Sequence, residues 1–353
     1  MKKLFIYFLA LAAFFFTACE DDKPIKEETP KGEAELLILS EGSWNGNNST
    51  LARYNVETKE LDKDYFNTIN KRGLGDTGND MLKYGSKIYI VMNVSSTIEV
   101  IDTKNGKSLR QIPMKTTDGN SKQPRRIAAH NGKVYVTSFD DTVTKIDTAT
   151  YNIDATLTVG QEPEGIWVKG NKLYVSNSGG LSGYANTVSV INIATFKEES
   201  KVEVGVNPGT IQGDSEGDIY VWSGGNYADI SPSFQRIDAA AGKVETVADV
   251  DSPAGFTISN DKAYIISGSY GSPYKLMVYD CKTEKVITEN FVTDNTQIGI
   301  IYHVSVDDVS GDVFISETDY SVPGNVHCFD KNGKLKYSLN AVGINPKVVE
   351  VLP

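Results

Sequence analysis

The sequence predicts an all-β fold, a seven-bladed β-propeller, and three observations support this prediction. An apolar strand of the form "KVYV" recurs seven times along the chain. A second apolar strand, ending in Asp or Asn, follows each of these copies. The two ends of the chain carry complementary halves of one repeat. Units of 39 to 50 residues with four short strands each are typical of propeller blades.

The "KVYV" segments are predicted to be the second strand of each blade, because their apolar and polar residues alternate as in a half-buried strand. They are "LLILS" from Leu36, "KIYIV" from Lys87, "KVYVT" from Lys133, "KLYVS" from Lys172, "DIYVW" from Asp218, "KAYII" from Lys262 and "DVFIS" from Asp312. The third strands are predicted to end at Asn55, Asp102, Asp147, Asn192, Asp238, Asp280 and Asp330. Asp or Asn at this point starts a turn by accepting hydrogen bonds from the backbone ahead of it.

The chain ends predict how the ring closes. The segment "NPKVVEVLP", Asn345 to Pro353, matches the openings of other repeats, such as "EPEGIWVK" from Glu162, yet no blade follows it. The first unit, from Glu35, lacks such a first strand. We therefore expect residues 35–353 to form one propeller, with the C-terminal strand innermost in the first blade. Closure of this kind leaves no open end of the ring to pair with another chain. A sandwich or two separate domains would explain neither the sevenfold count nor the complementary ends.

The N-terminus predicts export. Lys2 and Lys3 precede an apolar run that is too short to span a bilayer, and Thr17 and Ala18 follow it, so residues 1–18 are typical of a signal peptide. Cys19 comes next and resembles the lipidated cysteine of a bacterial lipobox. An ordinary signal peptide with an incidental cysteine is the alternative. Residues 19–34 are charged and poor in apolar residues, which predicts a disordered tether.

The net charge argues against nucleic acid as a ligand, and the remaining cysteines bear on disulfide formation. Loss of Lys2 and Lys3 with the signal peptide would take the formal net charge from −11 to −13. Nucleic acid would be repelled, because its binding rests on neutralising phosphates. Cys281 and Cys328 lie in adjacent repeats but out of register, so a disulfide is possible but not favoured, and buried free thiols are the simpler expectation.

Loop length predicts which face of the ring binds a ligand. Turns between first and second strands are short, as in "HNGK" from His130, whereas the loops after the second strands are long and carry aromatic residues among Gly, Ser and Asn. Rigid aromatic side chains with adaptable polar neighbours are typical of binding surfaces. Any single aromatic residue could instead pack on its own loop. From their placement at this face, the candidate ligand-binding residues are Trp44, Asn45, Asn93, Arg125, Phe139, Glu164, Asn177, Tyr184, Trp222, Tyr227, Tyr270, Tyr274, Tyr302 and Tyr320.

Catalytic and metal-binding patterns do not stand out in the sequence. The three histidines, His130, His303 and His327, are scattered, and no His-x-x-x-His spacing occurs. No nucleophile elbow, phosphate loop or acid pair is evident. Arg125 and Arg126 are adjacent cations near the loop-rich face, although they could simply pair with Asp140 and Asp141. We therefore expect a protein that binds without a cofactor or catalytic metal rather than an enzyme.

The repeats "PRRIAAHNGKVYVTS" (Pro124 to Ser138) and "PEGIWVKGNKLYVSN" (Pro163 to Asn177) resemble those of YncE-like seven-bladed propellers. Together with the lipobox, the acidic run after Cys19 and "LILSEGSWNGNNSTLARYNVET" (Leu37 to Thr58), they resemble the BtuG-type surface lipoproteins of Bacteroidota. That resemblance implies a lipid-anchored protein on the outside of the outer membrane. It implies that the protein captures cobalamin (vitamin B12) and delivers it to a TonB-dependent outer-membrane transporter.

Two other functions stay open at this point. A glycan-binding or cell-surface interaction propeller would use the same aromatic rim. A lyase of the streptogramin-lyase type has similar Pro-x-x-Ile repeats, but it would require a catalytic histidine on the loop-rich face, and none is evident there.

Overall fold

The computed structural model describes residues 34–238, 240–269 and 271–352. Within these ranges the chain forms seven sheets of four antiparallel strands. No helix of the described residues is long and apolar enough to cross a membrane. The predicted signal peptide, Cys19 and nearly all of the predicted tether lie outside the described residues, so those predictions stay untested.

The strands follow the chain in order. Those of the first four blades are β1 (Glu35–Ser40), β2 (Thr50–Asn55), β3 (Leu61–Asp62), β4 (Gly78–Tyr84), β5 (Lys87–Met92), β6 (Thr97–Asp102), β7 (Ser108–Pro113), β8 (Pro124–His130), β9 (Lys133–Ser138), β10 (Thr142–Asp147), β11 (Ile153–Thr158), β12 (Pro163–Lys169), β13 (Lys172–Asn177), β14 (Thr187–Asn192) and β15 (Lys197–Glu203). The remaining strands are β16 (Pro208–Gly213), β17 (Ile219–Ser223), β18 (Ser233–Ile237), β19 (Val244–Thr246), β20 (Pro253–Ser259), β21 (Lys262–Ser267), β22 (Lys275–Asp280), β23 (Lys285–Thr288), β24 (Ile300–Val306), β25 (Val313–Thr318), β26 (Pro323–Phe329), β27 (Leu335–Ile344) and β28 (Pro346–Leu352).

The first blade is built from both ends of the described chain, as predicted. Its strand order from the channel outward is β28-β1-β2-β3, and the other six blades each take four consecutive strands, from β4–β7 to β24–β27. β28 pairs antiparallel with β1, from Glu35↔Leu352 to Ser40↔Pro346. The innermost strands β24 and β4 both contact β28, which closes the ring. The predicted seven-bladed fold is therefore confirmed.

The hydrophobic core is divided into seven wedges, and each wedge lies between two adjacent blades. Six of the seven "KVYV" strands carry an aromatic residue that fills such a wedge, and Tyr89, Tyr135 and Tyr220 are almost completely buried. Because every wedge needs side chains from two blades, no blade can bury its own apolar residues alone.

The predicted turns form after the third strands. Asp147 Oδ1, for example, accepts hydrogen bonds from the backbone N–H groups of Ala149 (3.0 Å) and Thr150 (2.7 Å). The same pattern repeats at the ends of the other third strands, at Asn55, Asp102, Asn192, Asp238, Asp280 and Asp330. Cys281 and Cys328 are buried free thiols, as predicted, and burial raises the pKa of each to about 12.

One element was not predicted. The outer strand β3 has only two residues, and a short helix, α1 (Tyr65–Asn70), follows it. The helix buries Tyr65 and Phe66 in the wedge between the first and second blades. The Asn70 side chain fixes it to the next blade, since its Nδ2 donates to Gly106 O (3.0 Å) and its Oδ1 accepts from Ser108 N (2.8 Å).

Candidate functional site: the loop-rich face

The two ends of the channel differ in loop length. We call the end that carries the loops between second and third strands the loop-rich face, and the opposite end the short-turn face. On the loop-rich face the loops span 41–49 in blade one, 178–186 in blade four and 224–232 in blade five, but only 93–96 and 139–141 in blades two and three. The long loops therefore lie on blades one, four and five, whereas the loop of blade seven, 319–322, is as short as that of blade two.

Four of the predicted aromatic residues project from this face into solvent. The exposed fractions are 76% for Trp44, 77% for Tyr227, 53% for Tyr320 and 42% for Tyr184. They lie on blades one, five, seven and four. Three aliphatic residues in the same loops, which the sequence reasoning did not select, are also exposed: Leu181, Ile230 and Val322.

The aromatic side chains contact one another across the face. The rings of Tyr184 and Tyr227, on neighbouring blades, meet edge to face with 6.1 Å between their centroids. Tyr302 and Tyr320 meet in the same way at 6.0 Å within blade seven. Edge-to-face contacts of this kind hold rings in defined orientations.

The loop around Trp44 is held by one of its own polar side chains and by one from the segment that precedes β4. Asn48 Oδ1 accepts a hydrogen bond from Ser43 N (2.8 Å), and Asp76 Oδ2 accepts one from Asn47 N (3.1 Å). Asn45 and Asn47 take positive φ angles of 59° and 49°, which Asn tolerates better than most residues. The amide-rich loop therefore has a fixed shape that leaves the indole of Trp44 in solvent.

A group of charged and polar side chains lies beneath the loops, and all but Glu41 stand near the start of innermost strands. We call Glu41, Asp80, Arg125, Arg126, Glu164, Tyr302 and Lys347 the central charged cluster. Lys347 Nζ lies 2.7 Å from Glu41 Oε2, and the Tyr302 hydroxyl donates to the same carboxylate oxygen at 2.7 Å. Burial lowers the pKa of Lys347, and the Glu41 carboxylate opposes that shift. Burial and the Glu41 carboxylate both raise the pKa of Tyr302.

Both arginines in the cluster pair with Glu164. Arg125 Nε donates to Glu164 Oε2 (2.6 Å) and Arg126 Nε to Glu164 Oε1 (3.3 Å), so the pairing lies across blades three and four rather than with Asp140 and Asp141. Burial alone would raise the pKa of the Glu164 carboxyl, but the two guanidinium groups outweigh it and hold this pKa at about 2. The guanidinium of Arg125 also lies over the Phe139 ring, 4.4 Å from its centroid.

Other predicted residues support the face from below. Asn177 is buried, and its side chain bonds Gly160 N (3.1 Å), Thr187 Oγ1 (3.0 Å) and Ser189 Oγ (2.9 Å). Asn93 Nδ2 donates to Pro124 O (3.1 Å), and Trp222 Nε1 donates to Pro253 O (2.7 Å), so each joins its blade to the next. These side chains position the loops and the innermost strands.

The remaining predictions divide between the rim and the core. Asn45 is exposed beside Trp44, whereas Tyr274 is half-buried against the wedge between blades six and seven. Tyr270 lies outside the described residues. Sequence reasoning missed Glu41, Asp80 and Lys347. Lys347 could have been found, because it directly follows Pro346 at the start of an innermost strand, as Arg125 follows Pro124 and Glu164 follows Pro163.

No model of a protein family matches the sequence, and none of the curated proteins compared with it is similar. The resemblance of its repeats to YncE-like and BtuG-type proteins therefore stays a prediction.

Among solved structures, the chain is similar to hydrazine synthase of Kuenenia stuttgartiensis, with a TM-score of 0.60 and 16% identity over 72% of this chain and 77% of that one. It is similar to U3-55K, with a TM-score of 0.60 and 10% identity over 74% of this chain and 81% of that one. It is also similar to the computationally designed Ika8 protein, with a TM-score of 0.57 and 14% identity over 88% of this chain and 89% of that one. At these identities the likeness shows the fold alone. The chain is a β-propeller whose architecture is consistent with a binding or interaction role.

Proposed function

We propose that this protein is a lipid-anchored surface protein that captures cobalamin on its loop-rich face and delivers it to a TonB-dependent outer-membrane transporter. One observation carries the binding part of the proposal. Seven of the twelve large hydrophobic side chains that are exposed among the described residues lie in four loops of that face. Single exposed apolar residues are ordinary, but a group on one face is typical of an interaction site.

The chemistry of the face suits a broad ligand with an apolar body and polar edges. Cobalamin is flat, and amide groups surround its ring. The aromatic side chains of Trp44, Tyr184, Tyr227 and Tyr320 offer flat apolar surface at low cost in conformational entropy. Asn45 and the exposed Asn47 and Asn48 beside Trp44 offer amide groups that can pair with those of the ligand.

The central charged cluster favours a ligand that lies across the channel mouth. Its members come from blades one, two, three, four and seven, and each contact either lies within blade one or joins neighbouring blades, so the cluster surrounds part of the channel mouth. A ligand that displaced these buried ion pairs would leave charged groups against its own apolar ring, at a high energetic cost. We therefore expect the ligand to rest on several loops at once, above the central charged cluster.

The proposal assigns binding without chemical transformation. A propeller lyase would require a general base on the loop-rich face. The side chain of His303 lies deeper in the channel, and the other two histidines lie on the short-turn face and on the third strand of blade seven. Transport, the lipid anchor and the transporter partner rest on the resemblance of the sequence and on the lipobox pattern.

Titration calorimetry of the mature protein with cyanocobalamin is the experiment that tests the proposal. We expect saturable one-to-one binding at micromolar concentration or tighter, with unchanged cyanocobalamin recovered afterwards. Gel filtration should show the red ligand eluting with the protein. No heat and no co-elution at micromolar concentrations would overturn the cobalamin assignment and favour the glycan-binding alternative, which the same protein tests against a panel of oligosaccharides.

A further inference from the structure

The channel contains a cavity of about 540 Å³ on its short-turn side. Its lining starts at Asp80, Arg126 and His303 and continues past Trp167 to Tyr84 near the short-turn face. Glu41, Tyr302 and Lys347 are absent from the lining that the described residues form, so this part of the cluster lies between the cavity and the loop-rich face. A volume of this size is ordinary for a small-molecule site.

The cavity wall is largely apolar and includes three aromatic rings. Trp167, Phe256 and Tyr84 contribute these rings, and aliphatic residues such as Ile127 and Val348 complete the surface. Trp167 packs with its other face against the wedge between blades four and five. The wall therefore offers flat apolar surface in a water-accessible space, which favours an aromatic ligand.

Several polar groups in this wall have no partner. The imidazole of His303 and the hydroxyl of Thr210 make no hydrogen bond with any described residue. Gln212 accepts a hydrogen bond from Ile258 N (2.5 Å) through Oε1, and its amide N–H groups bond no other described residue. Polar groups that line a cavity of this size require water or a ligand to satisfy them. Each of these groups offers at least one N–H or O–H donor, and the hydroxyl and the neutral imidazole offer an acceptor as well.

The charged groups in the lining include a guanidinium that is held in place. They are Arg126, Lys83 and Asp80, two cations and one carboxylate, in a chain whose formal net charge is −11. Arg126 is held 3.8 Å from Asp80 and also bonds Glu164, so its guanidinium is fixed in place. These two carboxylates already balance the charge of the guanidinium, so the preference for an oxygen-bearing group comes from the unused donors beside it.

We propose that this cavity is a second binding site, separate from the loop-rich face, and that it takes a small molecule with an aromatic body and a carboxylate head. The body packs against the ring of Trp167, which is only partly buried. The carboxylate oxygens accept hydrogen bonds from Thr210, Gln212 and His303. This site does not depend on cobalamin binding, so either proposal can fail while the other stands.

The indole of Trp167 provides a direct reporter. The chain has three tryptophans, so a protein labelled with ¹⁵N at its indole groups gives three indole resonances, which Trp→Phe variants assign. Titration with 2-naphthoate should shift the Trp167 resonance saturably at submillimolar concentrations and leave that of Trp44 unmoved. No shift of Trp167, or an equal shift of all three resonances, would mean that the channel holds only water.

Ligands that differ only in their head group test whether the cavity prefers a carboxylate. The neutral 2-naphthamide should bind more weakly than 2-naphthoate, and the cationic 2-naphthylmethylamine at least tenfold more weakly. If the amine binds as tightly as the carboxylate, the assigned ligand class is wrong.

Substitutions in the cavity wall test where the ligand binds. Thr210→Phe fills the cavity and should weaken 2-naphthoate at least tenfold, whereas Thr195→Phe on an exposed turn should not. Thr210→Val and His303→Leu remove one donor each without filling the space, and each should weaken binding three- to tenfold with an unchanged melting temperature. If Thr210→Phe, Thr210→Val and His303→Leu all fold and bind 2-naphthoate with wild-type affinity, the proposal is overturned.

Discussion

Lys347 and Glu41 form an ion pair, with 2.7 Å between Nζ and Oε2, that joins the innermost strand of the first blade to the loop carrying Trp44. Lys347 Nζ also lies 3.2 Å from Asn79 Oδ1 of the second blade, and Tyr302 of the seventh blade donates to Glu41. The pair therefore connects the three blades where the ring closes.

Removal of one partner of this pair should be costly. Glu41→Ala leaves the ammonium of Lys347 buried without its counter-ion, so we expect a loss of about 3–5 kcal/mol in the free energy of unfolding. The double variant Glu41→Leu, Lys347→Met replaces both charges with apolar groups and should lie close to the wild type. Urea unfolding measures both, and a Glu41→Ala protein within about 0.5 kcal/mol of the wild type would show that the pair contributes little to stability.

Closure of the ring by β28 should be essential for stability. Deletion of residues 345–353 removes the pairing with β1 and takes Val349 and Leu352 from two core wedges. We expect aggregation or a fall of more than about 10 °C in the melting temperature. A synthetic peptide of the same nine residues should restore part of the loss when it is added in trans. A deleted protein that melts as the wild type does would contradict the closed ring.

Stability should rise with pH across the range in which His303 titrates in the unfolded chain. Burial, with the charges of Arg126 and Lys347, lowers the pKa of His303 from 6.5 to about 3. Between these two values the unfolded state binds the proton and the folded state does not, so this contribution is present above about pH 6.5 and is lost as the pH falls towards 3. The slope from one such group is at most about 1.4 kcal/mol per pH unit.

The variant His303→Leu isolates this contribution. Chemical denaturation at intervals between pH 7 and pH 5 should give a flatter dependence for the variant than for the wild type. Parallel curves for the two proteins over this range would show that His303 takes up its proton as readily in the folded state as in the unfolded chain.

Binding of cobalamin should depend on the exposed aromatic residues. The double variant Tyr184→Ala, Tyr227→Ala removes the edge-to-face pair that joins two blades, and it should weaken binding by more than tenfold, which is about 1.4 kcal/mol. Trp44→Ala combined with Tyr320→Ala should do the same. His130→Ala and Val309→Ala, on the short-turn face, are matched controls that should retain affinity in calorimetry. Loss of binding in the controls alone would mean that the ligand binds the other face.

Membrane attachment should depend on Cys19. Cys19→Ser removes the thiol that a lipid would modify, so the protein should leave the membrane fraction and lack the mass of the lipid. Fractionation and intact-mass measurement check this. A variant that stays in the outer membrane as the wild type does would contradict the lipobox prediction.

The fold could be predicted because each blade repeats the same local chemistry. A single repeat already shows the features that predict the blade. These are strands of alternating apolar and polar residues, a Pro at the start of the innermost strand, as in β12, and an Asp at the end of the third strand, as at Asp147. The helix α1 could not be predicted, because it replaces most of an outer strand and depends on contacts with the Gly106 turn of the neighbouring blade.

The exposed rim was predictable in outline, since long loops with Trp44 or Tyr227 stand out in the sequence. The functions of single polar residues were not predictable. Asn177 and Asn45 both sit at the loop-rich end, yet the side chain of one is buried and that of the other is exposed. The difference arises from the loop path across several blades, and no local pattern encodes it.

The pairing of Glu35 with Leu352 places the start of the described propeller at the short-turn end of the first blade. If the chain is anchored at Cys19, the predicted tether joins the propeller at the end opposite the exposed aromatic residues. A seven-residue innermost strand is about 23 Å long. The described chain therefore enters the propeller about one strand length away from the loops that carry Trp44 and the exposed tyrosines, and this entry point leaves those loops uncovered.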